Sequence, residues 1–477
     1  MLNLSDYSAL DATALAALIA SGEITSLEAQ ESAMAAISAA NPKLNCVVDV
    51  FETPEPGAEI GPFAGVPFLA KDAIMHIKGR VQKMGSRALA ALNMPDQISS
   101  ELFTRFQAAG LVTLGMTSTP EFAFNAAVEA LAYGAPTRNP YDLSRSPGGS
   151  SGGAAAAVAA GIVPMAHAND GGGSIRIPAA NCGLIGLKPT RGRTPIGPHY
   201  GLPLYGMGIE FAVSRTVRDA AALLDAVEGP EVGAMFDIAR PAALYREVIE
   251  KACEPKRIAL AFALPGTPEV DPFVRAALEE TAAYLTANGH TVVEAAPHFD
   301  AAAFHESNCL AWSSFCAAGV EAICAAPGIE RTNAFFEEAS LKVAEYGRAA
   351  TGIDVLGVFD VMNTVSRQFG AFMAEYDAFL LPLRRGQPQA IGALNQNDPK
   401  LSAREYYDAV FDIYPFTAFF NMTGQPALTV PVGQHEGVPV PIQLAAPMGR
   451  EDTLLSLARQ MERDGHSAFT PPPIWAA

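Results

Sequence analysis

The chain has 477 residues, of which 49% are apolar and 17% charged, below the roughly 25% charged residues of an average soluble domain. With 32 Lys and Arg against 50 Asp and Glu, its formal charge is −18. That balance argues against a nucleic-acid binder or a protein docked on anionic membrane, since both need clustered positive charge. The apolar content is ample to offset the entropy of ordering, which argues against disorder.

The first Lys or Arg is Lys43, so the N-terminus lacks the basic region of a secretory signal and the arginines of a transit peptide. The longest near-apolar run, 154–166, falls short of the ~18 residues that span a bilayer. A cytoplasmic location and no membrane partner are therefore expected. The six cysteines, Cys46, Cys182, Cys253, Cys309, Cys316 and Cys324, form no C-x-x-C pair, and they read as reduced thiols rather than zinc or redox ligands.

In chain order, Leu10, Leu15, Leu18 and Ile19 lie near helical spacing and end at Gly22, a good terminator. Thr25-x-x-Glu28 resembles a capping box that opens a second helix. Residues 53–65, rich in Pro and Gly, read as a passage into the main body. The expected division is a helical segment, 1–60, packed on a domain spanning 61–477. Strands are expected at 111–114 and 162–166, and at 257–262 and 291–295 around a helix at 271–288. Further strands follow at 376–383, 427–432 and 439–445, and a helix closes the chain at 450–463. This alternation implies an α/β fold, a single large domain with a mixed central β-sheet surrounded by helices.

Residues 144–196 carry the chemistry. Gly148-Gly149-Ser150-Ser151-Gly152-Gly153 directly precedes an alanine-rich helix, and Asp170-Gly171-Gly172-Gly173-Ser174 directly follows a strand. Glycines let a substrate approach the main chain, and three of them before a serine can aim several N–H groups at one spot, as in an oxyanion hole. Upstream, Lys71 ends an apolar run, where desolvation lowers a lysine pKa and frees the amine to act as a base. Taken alone, a glycine-serine cluster is usually a loop and a lysine after a strand is usually on the surface. Two clusters bracketing one helix and strand, with such a lysine, are harder to dismiss.

Other templates fit less well. Gly148-x-Ser150-x-Gly152 matches a nucleophile elbow, yet no downstream histidine stands in a context that marks it as the partner. No P-loop, G-x-G-x-x-G or H-E-x-x-H occurs, so neither a metal nor an organic cofactor is expected.

At this point the sequence resembles the amidase signature family. The resemblance rests on Gly65-Val66-Pro67 with Lys71-Asp72, on the two glycine-serine clusters, and on Ser174-Ile175-Arg176-Ile177-Pro178-Ala179. It continues through Cys182-Gly183, Gly186-Leu187-Lys188-Pro189-Thr190, Asn421-Met422-Thr423-Gly424-Gln425-Pro426-Ala427 and Pro439-Val440-Pro441-Ile442-Gln443. It therefore covers nearly the whole chain, with a signature core at about 65–200.

The resemblance implies a catalytic set of Ser174 as nucleophile, Ser150 as a bridging serine in a cis peptide, and Lys71 as base. Gly171, Gly172, Gly173 and Ser174 are the implied oxyanion-hole donors. Asp170 and Arg176 are expected to pair and fix the loop, Ser151 to cap the next helix, and Asp72 to orient Lys71 or serve a turn. The family often has Gly-Thr-Asp before its glycines, whereas this chain has His167-Ala168-Asn169-Asp170, which looks like the branch containing hydrolases of nylon cyclic oligomers. In that branch a pocket cysteine falls at Cys316, with core packing the equal alternative, and Asn125 is a second candidate pocket residue. Residues 381–385, Leu-Pro-Leu-Arg-Arg, depart from the family's Thr-Pro-rich stretch, which leaves specificity open.

The expected function is a serine hydrolase cleaving amide-type C–N bonds of small, mostly uncharged substrates: amides, lactam oligomers or carbamates. The expected assembly is a monomer or homodimer. One alternative is the glutaminase subunit of a tRNA-dependent amidotransferase, which the acidic balance weakens. Another is a catalytically silent binding protein.

Overall fold

The computed structural model describes residues 3–477. Eleven strands form one mixed sheet: β1 (Val47–Glu55), β2 (Pro67–Lys71), β3 (Val112–Thr117), β4 (Met165–Asp170), β5 (Ile185–Lys188), β6 (Ile209–Ser214), β7 (Arg257–Leu260), β8 (Thr291–Glu294), β9 (Ala378–Leu381), β10 (Ala427–His435) and β11 (Val438–Ala445). Their order across the sheet is β1-β3-β2-β4-β6-β5-β10-β11-β9-β7-β8. The pairs β3/β2, β2/β4, β9/β7 and β7/β8 are parallel, and the others antiparallel. Every residue of β2, β3, β4 and β6 is buried, as strands covered on both faces require.

The N-terminal segment differs from the expectation. Its helices, Leu4–Ala9, Ala12–Ser21 and Ser26–Leu44, stop well short of residue 60. Gly22 ends the second in the left-handed conformation, and Thr25 and Glu28 form the capping box of the third. Residues 47–55 then join the sheet as its edge strand, antiparallel to β3. The β-branched and aromatic run Val47, Val48, Val50 and Phe51 suits a pleated surface better than a helix.

The strand expected at 162–166 begins only at Met165 and continues to Asp170. That shift sets the site. Leu69 of β2 lies opposite Ala166 of the parallel β4, so Lys71, the last residue of β2, ends level with Ala168, and its Nζ reaches the side chain of Asn169 one residue further on. In open α/β sheets, ligands gather beyond such carboxyl ends. The buried helix Gly152–Ala159 packs against β2, β4 and β6 behind this edge. The helices Ala301–Cys324 and Ala403–Ile413 bring Trp312 and Phe411 over it. Among the described residues no helix is long and apolar enough to cross a membrane.

Candidate active site

Lys71 is fully buried. Its Nζ donates to Ser150 Oγ at 2.7 Å and to Asn169 Oδ1 at 2.5 Å. The Asn169 amide nitrogen donates to Ala73 O at 3.1 Å, which turns its oxygen toward the lysine. Burial pushes the Lys71 amine down to about 7, against the opposing pull of the Glu210 and Asp170 carboxylates. Ser150 follows a cis peptide bond from Gly149. A Cβ at Gly149 would lie 2.5 Å from the Asn125 carbonyl oxygen, so glycine alone fits there.

Asp170 organises the second cluster. Its Oδ1 accepts the Gly173 N–H at 2.7 Å and its Oδ2 the Ile175 N–H at 3.2 Å. Arg176 meets both oxygens, through Nε and Nη2, at 2.9 Å each. The guanidinium also donates to Thr417 O, Gln443 Oε1 and Asn421 Oδ1. Burial alone would raise the Asp170 carboxyl, but the Arg176 charge and hydrogen bonds hold it down at about 2. Gly173 has φ +132°, and a Cβ there would sit 2.4 Å from Thr417 Oγ1.

Several expected roles change. The Gly173 N–H is committed to Asp170, so it is not an oxyanion donor. The N–H groups of Gly171, Gly172 and Ser174 have no acceptor among the described residues. Ser151 makes no side-chain cap. Its Oγ instead donates to Asn169 O at 3.2 Å and accepts the Asn169 N–H at 3.3 Å, while its own N–H donates to Ser174 O at 3.3 Å. Ser151 therefore straps both serine loops to β4. Asp72 accepts from the Lys83 N–H and the Tyr133 hydroxyl, and it fastens a loop rather than orienting Lys71.

Ser174 is 8% exposed and lines a narrow slot of about 20 Å³ with Gly149, Gly172, Phe124, Asn125, Trp312 and Phe411. Asn125 lines the slot, but its side chain is tied at both ends, donating to Leu394 O and accepting the Ala127 N–H. Beyond the slot lies a predominantly apolar cavity of about 510 Å³, walled by Met84, Leu89, Phe122, Phe315 and Ile323 among others. Phe124 and Trp312, stacked with centroids 5.0 Å apart, wall both spaces. Cys316 lines the larger cavity and not the slot. Burial pushes its thiol well up, so it stays protonated, within 3.7 Å of Ser340 O.

Sequence reasoning missed Asn169 and the residues behind it. His167 Nδ1 accepts the Lys71 N–H at 3.2 Å, and its Nε2 lies 2.6 Å from Glu210 Oε2. Asn421, Gln443 and Thr417, all buried, complete the cage around Arg176 and Gly172. Asn169 and His167 lay in the phrase that departs from the family pattern, a usable signal. Glu210 had none, because nothing local places β6 beside β4.

An Amidase family profile matches residues 28–455. The chain belongs to the Amidase family. It is 36% identical over 472 residues to the 6-aminohexanoate-cyclic-dimer hydrolase of Paenarthrobacter ureafaciens, covering 95% of this chain and 94% of that one. The acylamidase of Rhodococcus erythropolis is 31% identical over 474 residues, covering 95% of each. A solved structure of a 6-aminohexanoate cyclic dimer hydrolase superposes with a TM-score of 0.90 at 33% identity, over 97% of this chain and 98% of that chain. The fold is accordingly that of the amidase signature enzymes, and the relatives are named as hydrolases of C–N bonds.

Proposed function

We propose that this Amidase family hydrolase cleaves small, mostly uncharged amides, lactam-like oligomers or carbamates through an acyl-enzyme on Ser174. The observation that carries this reading is the buried 2.7 Å contact between Lys71 Nζ and Ser150 Oγ at the edge of the slot that holds Ser174. Neutral Lys71 takes the Ser150 proton as Ser150 takes that of Ser174, and Ser174 Oγ then attacks the carbonyl carbon. The oxyanion is held by the free N–H groups of Gly171, Gly172 and Ser174. When the C–N bond breaks, the proton returns from Lys71 through Ser150 to the leaving amine. Water then attacks the acyl ester by the same relay and restores Ser174.

The slot and the cavity beyond it are walled chiefly by aromatic and aliphatic side chains, which favours uncharged substrates. The cyclic dimer named for a relative is of this kind, an amide with apolar methylene arms. The test is hydrolysis by the purified chain of matched anilides, lactams and carbamates, with Ser174→Ala as control. Activity in the isolated chain that Ser174→Ala abolishes supports the reading. Activity that survives Ser174→Ala sinks the mechanism, and activity only with partner chains points to a glutaminase subunit instead. For the base, kcat/KM rises as the ammonium of Lys71 loses its proton, with its acid limb near the amine's value of about 7. A profile flat from about pH 5 to 9 removes Lys71 from the mechanism.

A further inference from the structure

Two carboxylates influence Lys71, and they differ in what surrounds them. Asp170 shares its charge with Arg176 through two 2.9 Å bonds. Glu210, on β6 directly opposite Asn169 of β4, meets only an imidazole with its carboxylate among the described residues. His167 Nδ1 accepts the backbone N–H of Lys71, so that nitrogen carries no proton. The proton must then be on Nε2, which donates to Glu210 Oε2, and the ring is neutral. His167 and Glu210 are both buried, so this carboxylate has a hydrogen-bond donor but no cation paired with it.

We propose that Glu210, acting through neutral His167, is a positioning residue that supplies an unpaired negative charge behind the Lys71 base. This rests on Lys71 being the base, as proposed above. The arrangement performs two tasks. The chain Glu210–His167–Lys71 N–H fixes the end of β2, and with it the root of the lysine side chain. The carboxylate's field also opposes the burial that strips the proton from Nζ. Without that field the amine would lose its proton more readily and be a weaker base toward the proton relayed from Ser174.

The other groups facing these side chains do not cancel the charge. Asp72, next to Lys71, is turned to Tyr133 and the Lys83 N–H. Tyr200 and Asp170 add no cation, and the uncharged Phe106 ring meets His167 in a T-shaped contact with centroids 6.1 Å apart. Asn169 and Ser150 meet Nζ as neutral partners.

The test uses a small arylsulfonyl fluoride, whose rate of inactivation at Ser174 reads the base without a known substrate. Its pH dependence is compared in the parent protein, Glu210→Gln and His167→Asn. Glutamine keeps the size and can still accept from His167, but it carries no charge. Asparagine at 167 can still accept the Lys71 N–H but leaves Glu210 without its donor, and an unpartnered buried carboxylate is neutralised by taking up a proton. Removing a negative charge makes Lys71 lose its proton more readily. In both variants the acid limb should therefore move toward lower pH by about half a unit or more. A merely structural Glu210 lowers the rate at every pH and leaves the limb in place, and that result overturns the proposal. Should Glu210→Gln fail to fold, the limb of His167→Asn decides. If the parent protein is not labelled at Ser174 at all, the serine-hydrolase reading falls and this proposal with it. Labelling with an unmoved limb overturns only the role of Glu210.

Discussion

The sheet edge that carries Lys71, Ser150 and Ser174 and the helix Ala301–Cys324 that roofs the slot are built on opposite terms. At the edge, Asp170, Arg176, Asn169, Ser151 and His167 each hold named partners, mostly within 3.3 Å. On the roof, the Asn308 amide and the Trp312 indole N–H are buried with no hydrogen-bond partner among the described residues, as is the Tyr407 hydroxyl on the neighbouring helix. The 510 Å³ cavity also lies along it. Fully satisfied polar networks are rigid and specific, whereas an apolar wall with loose polar groups can be repacked at little expense. On the proposed mechanism, the difference would put the reaction at the edge and substrate preference on the roof.

The largest effects should come from breaking the edge. Lys71→Met removes the proposed base and keeps the bulk, and kcat/KM on any hydrolysed amide should fall by about 10²- to 10⁴-fold, the usual worth of a positioned general base. A smaller loss would mean that water or another group takes the proton. Arg176→Leu leaves the Asp170 carboxylate buried without its cation, which should cost about 3–5 kcal/mol of stability, read as a shift in denaturant midpoint. Adding Asp170→Asn should recover part of that loss, because the penalty lies in the unpaired charge. If the double variant is as unstable as the sum of the singles, the pair is not the organising element of the loop.

The two regions were also unequally legible in the sequence. Ser150 and Ser174 stand in glycine-rich phrases and Lys71 ends an apolar run, and both patterns have a local physical meaning, so the three could be singled out before any fold was known. The role of Gly173 was misjudged because its N–H faces either substrate or Asp170 depending on one turn, and residue order does not record that choice. Ser151 sits where a helix cap belongs, but β4 runs to Asp170 rather than stopping at residue 166, and the hydroxyl meets Asn169 instead. Glu210 and the end of the N-terminal segment were illegible for the same reason. The pairings β4/β6 and β1/β3 join residues about 40 and 65 positions apart, and only the register of the assembled sheet brings them together. On the roof, Cys316 was singled out as a pocket or core residue, but which face of its helix meets the cavity depends on helices distant in sequence.

Smaller effects should come from the roof, and they should alter preference rather than chemistry. Gly319 lines the cavity, and a Cβ placed there meets nothing within 4 Å. Gly319→Phe should fill the space without straining the helix, which glycine weakens by about 1 kcal/mol relative to alanine. The kcat/KM ratio of a long-armed to a short-armed amide should drop by about 10-fold, the worth of roughly 1.4 kcal/mol of lost apolar contact. An unchanged ratio would show that the arm does not enter the cavity.

The mildest test is Trp312→Phe. Phenylalanine can keep the stack on Phe124 but removes the outer ring of the indole and its unpartnered N–H, so no hydrogen bond is lost. A buried aromatic replaced by a smaller one at a loosely packed site should cost less than about 1.5 kcal/mol of stability. The ratio should shift a few-fold toward bulkier arms, opposite in sign to Gly319→Phe, because the shared wall between slot and cavity becomes thinner. The acid limb of the pH profile should stay where it is, since Trp312 walls the slot and the cavity and neither Lys71 nor Glu210 lines either space. A moved limb would mean that roof and edge are coupled through Gly171, whose Cβ position lies 2.9 Å from the indole. In that case the division of labour between the two regions would have to be redrawn around that contact.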